Sequence, residues 1–315
     1  MPRPTSGTTI QRPDLASLAV EYVEKQDEFI GLRLAPMFKV QSQSAEYPTY
    51  PKEAAVNLPD TKRAPRGDYN RTVWRFETDN YACVENGIEE PVDDVEVKLY
   101  ARYFDAEAMA GKRAMRNVLR VQEKRILDIP QALSADASPT NEWDDPTNAV
   151  PLSDINTGKE TILDATGMEP NALVIANTTF KDLGNVAAIV DRIKYTHPGV
   201  KRGELTKELL AEYFGLAELL VSRQGYNSAD AGQAASMTKY WDEEYALLAI
   251  VQDGQDLSEP GYMRTFLWTE DSPQNVVIES YRDDTVRGDV VRARQYTDEE
   301  TIWAAAAYLM DNIVS

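Results

Sequence analysis

The amino-acid sequence predicts an α+β fold, and three observations support that class. Residues 98–128 carry apolar side chains at helical spacing, which predicts one long helix. Residues 169–197 start with a Pro-Asn turn and the short apolar run Ala172–Ala176, then continue at helical spacing, which predicts a strand followed by a helix. Further strand candidates lie in the C-terminal part of the chain, at 245–251, 265–268, 275–281 and 289–295.

Length and composition indicate a globular protein with a sizeable core. The chain has 315 residues, enough for one large or two modest domains, and its apolar content of 43% excludes wholesale disorder. No apolar run approaches the roughly 20 residues of a membrane helix. The first residues lack the layout of a secretory signal, so we expect none. The single cysteine, Cys83, excludes an internal disulfide framework and is expected to be a small buried side chain.

Charge is distributed in blocks of alternating sign. The net charge of −19 argues against nucleic acid as a direct partner of the whole surface. Residues 61–75 nevertheless hold five basic residues and one acidic one, residues 76–97 hold eight acidic residues and no basic one, and residues 98–125 hold eight basic and three acidic ones. Such blocks suit a self-assembling lattice, in which they would fix partner and register. Solvated faces that keep the protein soluble are the alternative.

The N-terminal region is expected to be an arm followed by a helix. Residues 1–16 contain three prolines and read as an irregular arm. Residues 15–34 are apolar enough for a short helix, which Gly31 is expected to end.

The long segment 41–72 is rich in proline and lacks apolar periodicity, so it is either a linker or a functional loop. The apolar flanks, 37–40 and 72–76, are expected to pair as the two strands of a long projecting hairpin. Because an isolated hairpin is unstable in water, such an arm would need a neighbouring subunit to lie on.

The predicted helix at 98–128 would be about 46 Å long and would end before Pro130. Its basic residues recur on one face and are Arg113, Arg116, Arg120 and Lys124. This face is either solvated or a stripe that contacts DNA without sequence specificity.

Local signals define the remaining elements. Residues 130–152 are polar and are expected to link two layers. A helix is expected at 154–165, capped by Ser153 and ended by Gly167, and another is expected to be capped by Asn177 and Thr178. A third is expected at 204–214, with Thr206 as a cap and Gly215 as its stop. The capping box 297–300 is expected to open a final helix. A strand at Glu218–Ser222 and a surface loop at 224–238 complete the prediction.

No catalytic, cofactor or metal site is predicted. The single histidine, His197, is expected at the surface, and one histidine with one cysteine excludes the usual zinc sites. The glycine-rich and nucleophile motifs of common enzyme families are absent from the sequence. A hydrolase that uses carboxylates alone stays open, but no residue is singled out for that role.

The strand-helix unit, with its Pro170-Asn171 turn and the later Arg192-Ile-Lys-Tyr195, resembles the major capsid proteins of tailed phages, which share the Hong Kong 97-type fold. The order of elements is similar along nearly the whole chain. The corresponding regions are an N-terminal arm at 1–35, an extended E-loop hairpin at 36–80, a peripheral domain with a spine helix at 81–149, an axial domain at 150–258, and return strands of the peripheral domain with a C-terminal helix at 259–315.

The resemblance implies a structural protein of the virion, assembled in the host cytoplasm, with no enzymatic activity. Copies would assemble as pentamers and hexamers into an icosahedral shell around double-stranded DNA, with the E-loop lying over a neighbouring subunit. The candidate residues for that contact are Tyr47, Tyr50, Lys52, Lys62, Arg63 and Arg66, and those facing the DNA are Arg113, Arg116, Arg120 and Lys124. Expected partners are further copies of the chain, a separate scaffolding protein, a portal and non-specifically bound DNA, with no membrane and no cofactor.

Two alternatives remain at this point. A shell of the encapsulin type would enclose cargo protein instead of DNA. A soluble α/β enzyme or binding protein belongs to a different class and would not form shells. Some capsid proteins also crosslink a loop lysine to a neighbour's asparagine, but no residue pattern here identifies such a pair, so we predict no crosslink.

Overall fold

The structure is a computed structural model that describes residues 10–11, 29–49, 58–63, 65–71, 77–196, 205–230, 232–252, 254 and 261–315. The strands are β1 (Ile10–Gln11), β2 (Met37–Val40), β3 (Ser44–Thr49), β4 (Glu77–Ala82), β5 (Val84–Asp93), β6 (Ala172–Ala176), β7 (Glu218–Ser222), β8 (Gly225–Asn227), β9 (Met237–Lys239), β10 (Ala246–Ala249), β11 (Met263–Trp268), β12 (Val277–Asp283), β13 (Gly288–Thr301) and β14 (Ala307–Met310). The helices are α1 (Gly31–Leu34), α2 (Asp94–Tyr100), α3 (Ala106–Gln131), α4 (Pro151–Thr166), α5 (Asn177–Leu183), α6 (Ala187–Thr196) and α7 (Lys207–Phe214).

The larger sheet has six strands and is built around β13. Its order is β1-β12-β13-β11-β2, and β5 also pairs with β13. All pairs are antiparallel except β2 with β11, which is parallel. Helix α3 packs its apolar face on this sheet, and its buried side chains include Met115, Val118 and Leu119. The exposed residues of α3 include the basic Lys112, Arg113 and Arg116, so one amphipathic helix both covers the sheet and presents charge.

The smaller sheet has four strands in the order β14-β10-β6-β7. All residues of β6 and β10 are buried, as expected for strands covered on both faces. The predicted strands Ala172–Ala176 and Glu218–Ser222 are confirmed residue by residue. The predicted cap and end of α7 are confirmed, although the helix begins at Lys207 and not at residue 204. The Thr206 side chain accepts from the Leu209 N–H, and Gly215 has the left-handed φ of 64° that ends the helix.

The helix predicted at 98–128 is two helices, α2 and α3, so the prediction of one continuous helix was wrong. The Asp105 side chain breaks the run because it caps α3, accepting from the N–H groups of Glu107 at 3.0 Å and Ala108 at 3.3 Å. Pro130 lies inside the last turn and does not precede the end of the helix. The Gln131 amide donates to the Leu127 carbonyl at 2.8 Å and satisfies a backbone acceptor there.

Gly31 begins a helix instead of ending one, because a buried carboxylate holds its backbone. The two oxygens of Glu123, on α3, accept from the N–H groups of Ile30 at 2.9 Å and Gly31 at 2.7 Å. A Cβ at Gly31 would lie 2.5 Å from Glu123 Oε2, so the close approach requires glycine. The part of the predicted helix that covers residues 15–28 lies outside the described residues.

The predicted C-terminal helix is also wrong, and the region is extended. Strand β13 continues through the supposed capping box to Thr301, because residues 297–301 form a ladder with β11. Strand pairing here overrides a local helix signal. A short 3₁₀ turn at Ala304–Ala306 follows, and β14 then pairs with β10. The end of the 259–315 region therefore completes the smaller sheet and does not return to the larger one.

Residues 130–152 are packed and do not form a free linker. Trp143 is fully buried; its backbone N–H donates to the Ile313 carbonyl at 2.6 Å, and its indole Nε1 donates to Asp154 Oδ2 at 3.0 Å. The segment thus joins the core through an aromatic side chain whose polar atom is satisfied.

Three smaller boundaries also differ from prediction. Helix α4 starts at Pro151, with no side-chain cap from Ser153, although Gly167 ends it as expected. No side chain caps α5, because the Thr178 hydroxyl donates to Glu243 Oε2 at 2.8 Å. The 224–238 region contains the hairpin of β8 and β9 and is not an irregular loop.

We expect Glu123→Ala to lower the free energy of unfolding by about 2–4 kcal/mol, because it leaves two buried backbone N–H groups without an acceptor. Burial raises the pKa of Glu123 to about 7, so the folded chain holds a proton that the unfolded chain releases above about 4.5. The stability difference between the native chain and the variant should therefore shrink as pH rises from about 4.5 to about 7. Urea unfolding at several pH values measures this.

The matched control is Glu160→Ala, since Glu160 is an exposed glutamate on α4. Its effect should stay within about 0.5 kcal/mol at every pH. Equal losses for the two variants would contradict the role assigned to Glu123.

Candidate assembly surfaces

The hairpin predicted between residues 36 and 80 exists, but its strands differ from the predicted flanks. Strands β3 and β4 pair in antiparallel register, with Ser44 opposite Ala82 and Thr49 opposite Glu77. The first predicted flank, Met37–Val40, is instead a parallel edge strand of the larger sheet. The second flank, 72–76, lies outside the described residues. The hairpin is thus entered from β2 and left into β5, both of which belong to the larger sheet.

An aromatic cluster fixes the base of the hairpin to its own subunit. The ring of Phe266, on β11, lies 4.4 Å from the stacked ring of Tyr81 and 5.2 Å from that of Tyr47, centroid to centroid. The Cys83 thiol donates weakly to the Phe266 carbonyl oxygen over 3.6 Å, and Asp298 Oδ2 accepts from the Ala82 N–H at 2.7 Å. Aromatic pairs of this kind are worth about 0.5–1.5 kcal/mol beyond their area burial.

Tyr47 belongs to that base and does not project toward a neighbour. Only 2% of the residue is exposed, because its ring packs on Phe266. The prediction of Tyr47 as an intersubunit residue is therefore corrected: its role is to anchor the hairpin within the subunit. Tyr50 and Lys52, predicted for the same contact, lie outside the described residues.

Residues 58–63 and 65–71, which we call the distal loop, carry the other predicted contact residues: Lys62, Arg63 and Arg66, all exposed. The Arg63 guanidinium lies 4.4 Å from the centre of the Tyr69 ring, and its Nε donates to the Gly67 carbonyl at 2.7 Å. These contacts hold a turn in which Arg66 has a φ of 67°. Leu58 is 95% exposed and Tyr69 is 73% exposed, so the loop presents apolar and basic side chains together.

The predicted basic stripe on α3 is partly neutralised. Arg113 forms an ion pair with Glu90 of β5, and Lys124 forms one with Asp128 at 2.6 Å. Arg116 is exposed and Arg120 is half-buried. The four residues lie on one helix, as predicted, but two of their charges are balanced within the subunit.

A second exposed surface, not predicted from the sequence, lies on α2 and the turn after it. None of the residues of α2, all of which the structure describes, is buried. The large exposed apolar residues of this segment, which we call the α2 patch, are Val95, Leu99, Tyr100, Tyr103 and Phe104. The sequence periodicity had placed Leu99 and Tyr103 on the buried face of one long helix, and the break before Asp105 turns them toward solvent.

The α2 patch is held in place by polar contacts. The two terminal nitrogens of the Arg282 guanidinium each donate to one oxygen of the Asp94 carboxylate at 2.6 Å, which joins α2 to β12. Asp93 caps α2 by accepting from the Val95 N–H at 2.7 Å. The rings of Tyr100 and Phe104 stack at 5.2 Å. The exposed apolar side chains therefore belong to a supported helix.

Carboxylates surround Tyr47 on the sheet side of the hairpin base. Burial, followed by the charges of Asp298 and Asp79, raises the pKa of Glu300 to about 7. Burial likewise raises the pKa of Asp298 above its usual value. In contrast, Arg125 of α3 binds the neighbouring Glu299 with two hydrogen bonds, at 2.8 and 2.9 Å.

Within the described residues, no three His, Cys, Asp or Glu side chains are arranged to hold a metal ion. No helix in the described part of the chain is long and apolar enough to cross a membrane. His197 lies outside the described residues.

Solved structures of other proteins share the architecture described above. No protein-family model matches the chain. It is 27% identical over 314 residues to the major capsid protein of Burkholderia phage BcepMu, a match that covers 96% of each chain. Among solved structures, a phage-related protein from Bordetella bronchiseptica RB50 superposes with a TM-score of 0.72 at 24% identity, covering 97% of this chain and 98% of the other. The capsid structure of cyanophage P-SCSP1u superposes with a TM-score of 0.57 at 14% identity, covering 88% of this chain and 86% of the other.

The full-length match to a capsid protein agrees with the two-sheet fold, the long helix α3 and the hairpin of β3 and β4. The chain therefore has the Hong Kong 97-type capsid fold and is a homologue, over 96% of its length, of a phage major capsid protein.

Proposed function

We propose that copies of this chain assemble as pentamers and hexamers into a closed icosahedral shell that encloses double-stranded DNA. The observation that carries the proposal is the distal loop, an exposed basic and apolar loop on a hairpin whose base is fixed to the subunit. A neighbouring copy would supply the surface on which the loop lies.

The distal loop supports this reading because its stabilising contacts are local. Among its described residues, the hydrogen bonds run within the loop: Arg63 to Gly67 and Tyr69, and the Asn70 amide to the Asp60 carbonyl at 2.9 Å. Leu58 and Tyr69 remain exposed to water. A two-stranded hairpin is marginally stable alone. Contact with a second subunit would bury these side chains and extend the packing that begins at Phe266.

The α2 patch supports a second contact between subunits. Contiguous exposed apolar side chains on a soluble protein mark interaction sites, and aromatic residues are enriched at the centres of interfaces. Each such contact would be modest in energy. Repetition over a closed lattice makes the assembly strong, because every subunit is held by several neighbours at once.

Contact with packaged DNA would be non-specific and sensitive to salt. On α3, Arg116 and Arg120 are the members of the basic stripe without a carboxylate partner among the ion pairs described above, and they are the residues we propose to face the DNA. The net charge of −19 keeps this contact weak, as suits a wall that must not bind its contents tightly. A separate scaffolding protein and a portal, which the family resemblance implies, complete the proposed assembly.

Purified assemblies viewed by electron microscopy should be icosahedral and filled with DNA after expression in an infected host. A nucleic acid assay on the same particles separates this shell from one that encloses protein cargo. Protein-filled cages would contradict the DNA-enclosing role, and a chain that remains monomeric in light scattering under all conditions would contradict assembly itself.

Replacement of residues 51–75 by an Asn-Gly turn should give a folded subunit that forms no shells. The replacement keeps the register in which Thr49 faces Glu77 and leaves the aromatic base intact, so only the loop is lost. Circular dichroism and urea unfolding check the fold, and electron microscopy checks assembly. Normal shells from this variant would show that the loop makes no essential contact.

The double variant Leu99→Ser, Tyr103→Ser should assemble at least about tenfold less at equal concentration, because it removes the most exposed apolar side chains of the α2 patch. The free energy of unfolding of the subunit should change by less than about 0.5 kcal/mol, since both side chains face water. Val121→Ser, which alters an exposed valine on α3, is the control and should assemble normally. Equal assembly by all three proteins would remove the patch from the proposal.

A further inference from the structure

The base of the hairpin brings together three carboxylates from two elements. Asp79 lies on β4, and Asp298 and Glu300 lie on β13. We propose that this base is a proton-sensitive hinge: protonation of Glu300 docks the hairpin on the larger sheet, and loss of the proton loosens it. This device acts within one subunit and does not depend on the proposed contacts between copies.

Strand geometry places these groups at the junction. Asp79 is the ladder partner of Tyr47, so the two side chains lie on the same face of the hairpin. Asp298 and Glu300 are two residues apart on a strand and point to the same side of the sheet. Asp298 also holds the end of β4, through the N–H of Ala82. The charges of all three carboxylates act on the Tyr47 hydroxyl, which has no hydrogen-bond partner within the described structure.

The groups packed around Glu300 do little to stabilise its negative charge. From the hairpin it interacts with Asp79 and Tyr47, and the charges that act on it in the described structure, from Asp298, Asp79 and Glu299, are all negative. The basic residues near the junction either bind other groups or are exposed. On β11, Arg264 is the ladder partner of Glu300 but donates to the Gln252 carbonyl; on α3, Arg125 binds Glu299; on β2, Lys39 is exposed.

The direction of the effect follows from the docked environment. Docking buries Glu300 beside Asp298 and Asp79, which raises its pKa from the usual 4.5 to about 7. The docked hairpin therefore holds a proton that the undocked one releases within this window. Docking is strongest at the acid end, weakens as pH rises toward about 7, and changes little above that. The raised pKa of Asp298 acts in the same direction, and Tyr47 stays neutral because burial raises its pKa further.

Hydrogen exchange on the dilute, unassembled full chain tests the hinge. After correction for intrinsic rates, protection of Ser44–Thr49 and Glu77–Ala82 should fall by at least about threefold between about pH 5.5 and pH 7.5. Glu300→Gln keeps the shape of the side chain without its charge, so its hairpin should stay protected across this range. Glu77→Gln removes an exposed charge from the same hairpin and should keep the native pH dependence.

The single cysteine provides a second readout, because Cys83 is buried at the hinge and contacts Phe266. The alkylation rate of the native chain divided by that of Glu300→Gln, taken at each pH, removes the intrinsic titration of the thiol. This ratio should rise by at least about threefold between about pH 5.5 and pH 7.5. A constant ratio, or an unchanged pH dependence of protection in Glu300→Gln, would overturn the hinge whether or not shells form.

Discussion

Strand β13 is the element on which the larger sheet depends, because three other strands pair with it. Strands β5, β12 and β11 contact it directly, and β1 and β2 join through β12 and β11. Side chains alternate between the two faces of the sheet along its last residues, so neighbouring residues contact different elements. Thr297 and Glu299 bind Arg125 of α3, whereas Asp298 binds the backbone at the base of the hairpin. One strand therefore fixes the long helix on one face and the projecting hairpin on the other.

Two residues before Arg125 on α3, a buried carboxylate links the same helix to α1. Glu123 is 3% exposed and binds the first backbone N–H groups of α1, and α1 packs with the core of the smaller sheet. A carboxyl group in such a position is tolerated because both of its oxygens are hydrogen-bonded. Helix α3 thus contacts the apolar cores of both sheets, with Met115 and Leu119 in one and Ile126 and Leu127 in the other.

The sequence was informative where a local signal and burial agree. The fully apolar β6 and the Thr206 and Gly215 caps of α7 were predictable because residues next to each other in the chain determine them. The helix predicted from the C-terminal capping box was wrong because those residues pair with β11, a partner that a local pattern does not reveal. The break before Asp105 was missed for a related reason. Periodicity defines one face of a helix but does not show where a capping residue interrupts it.

The candidate assembly surfaces were also only partly predictable from the sequence. The exposure of the described part of the distal loop agrees with its proline-rich, polar composition, and its basic character comes from Lys62, Arg63 and Arg66. Tyr47 could not be assigned, because its burial depends on Phe266, more than 200 residues further along the chain. The α2 patch was missed because an apolar residue at helical spacing is read as core, and exposure becomes visible only when the covering layer is known.

The position of β14 has a consequence for how the subunit folds. The smaller sheet is incomplete until β14 pairs with β10, and the chain makes β11, β12 and β13 between those two strands. During synthesis the edge of β10 therefore stays open while the whole larger sheet is being formed. Such non-local pairing slows folding. A nascent chain that has not reached β14 lacks the final subunit shape, which would keep incomplete copies out of a growing lattice.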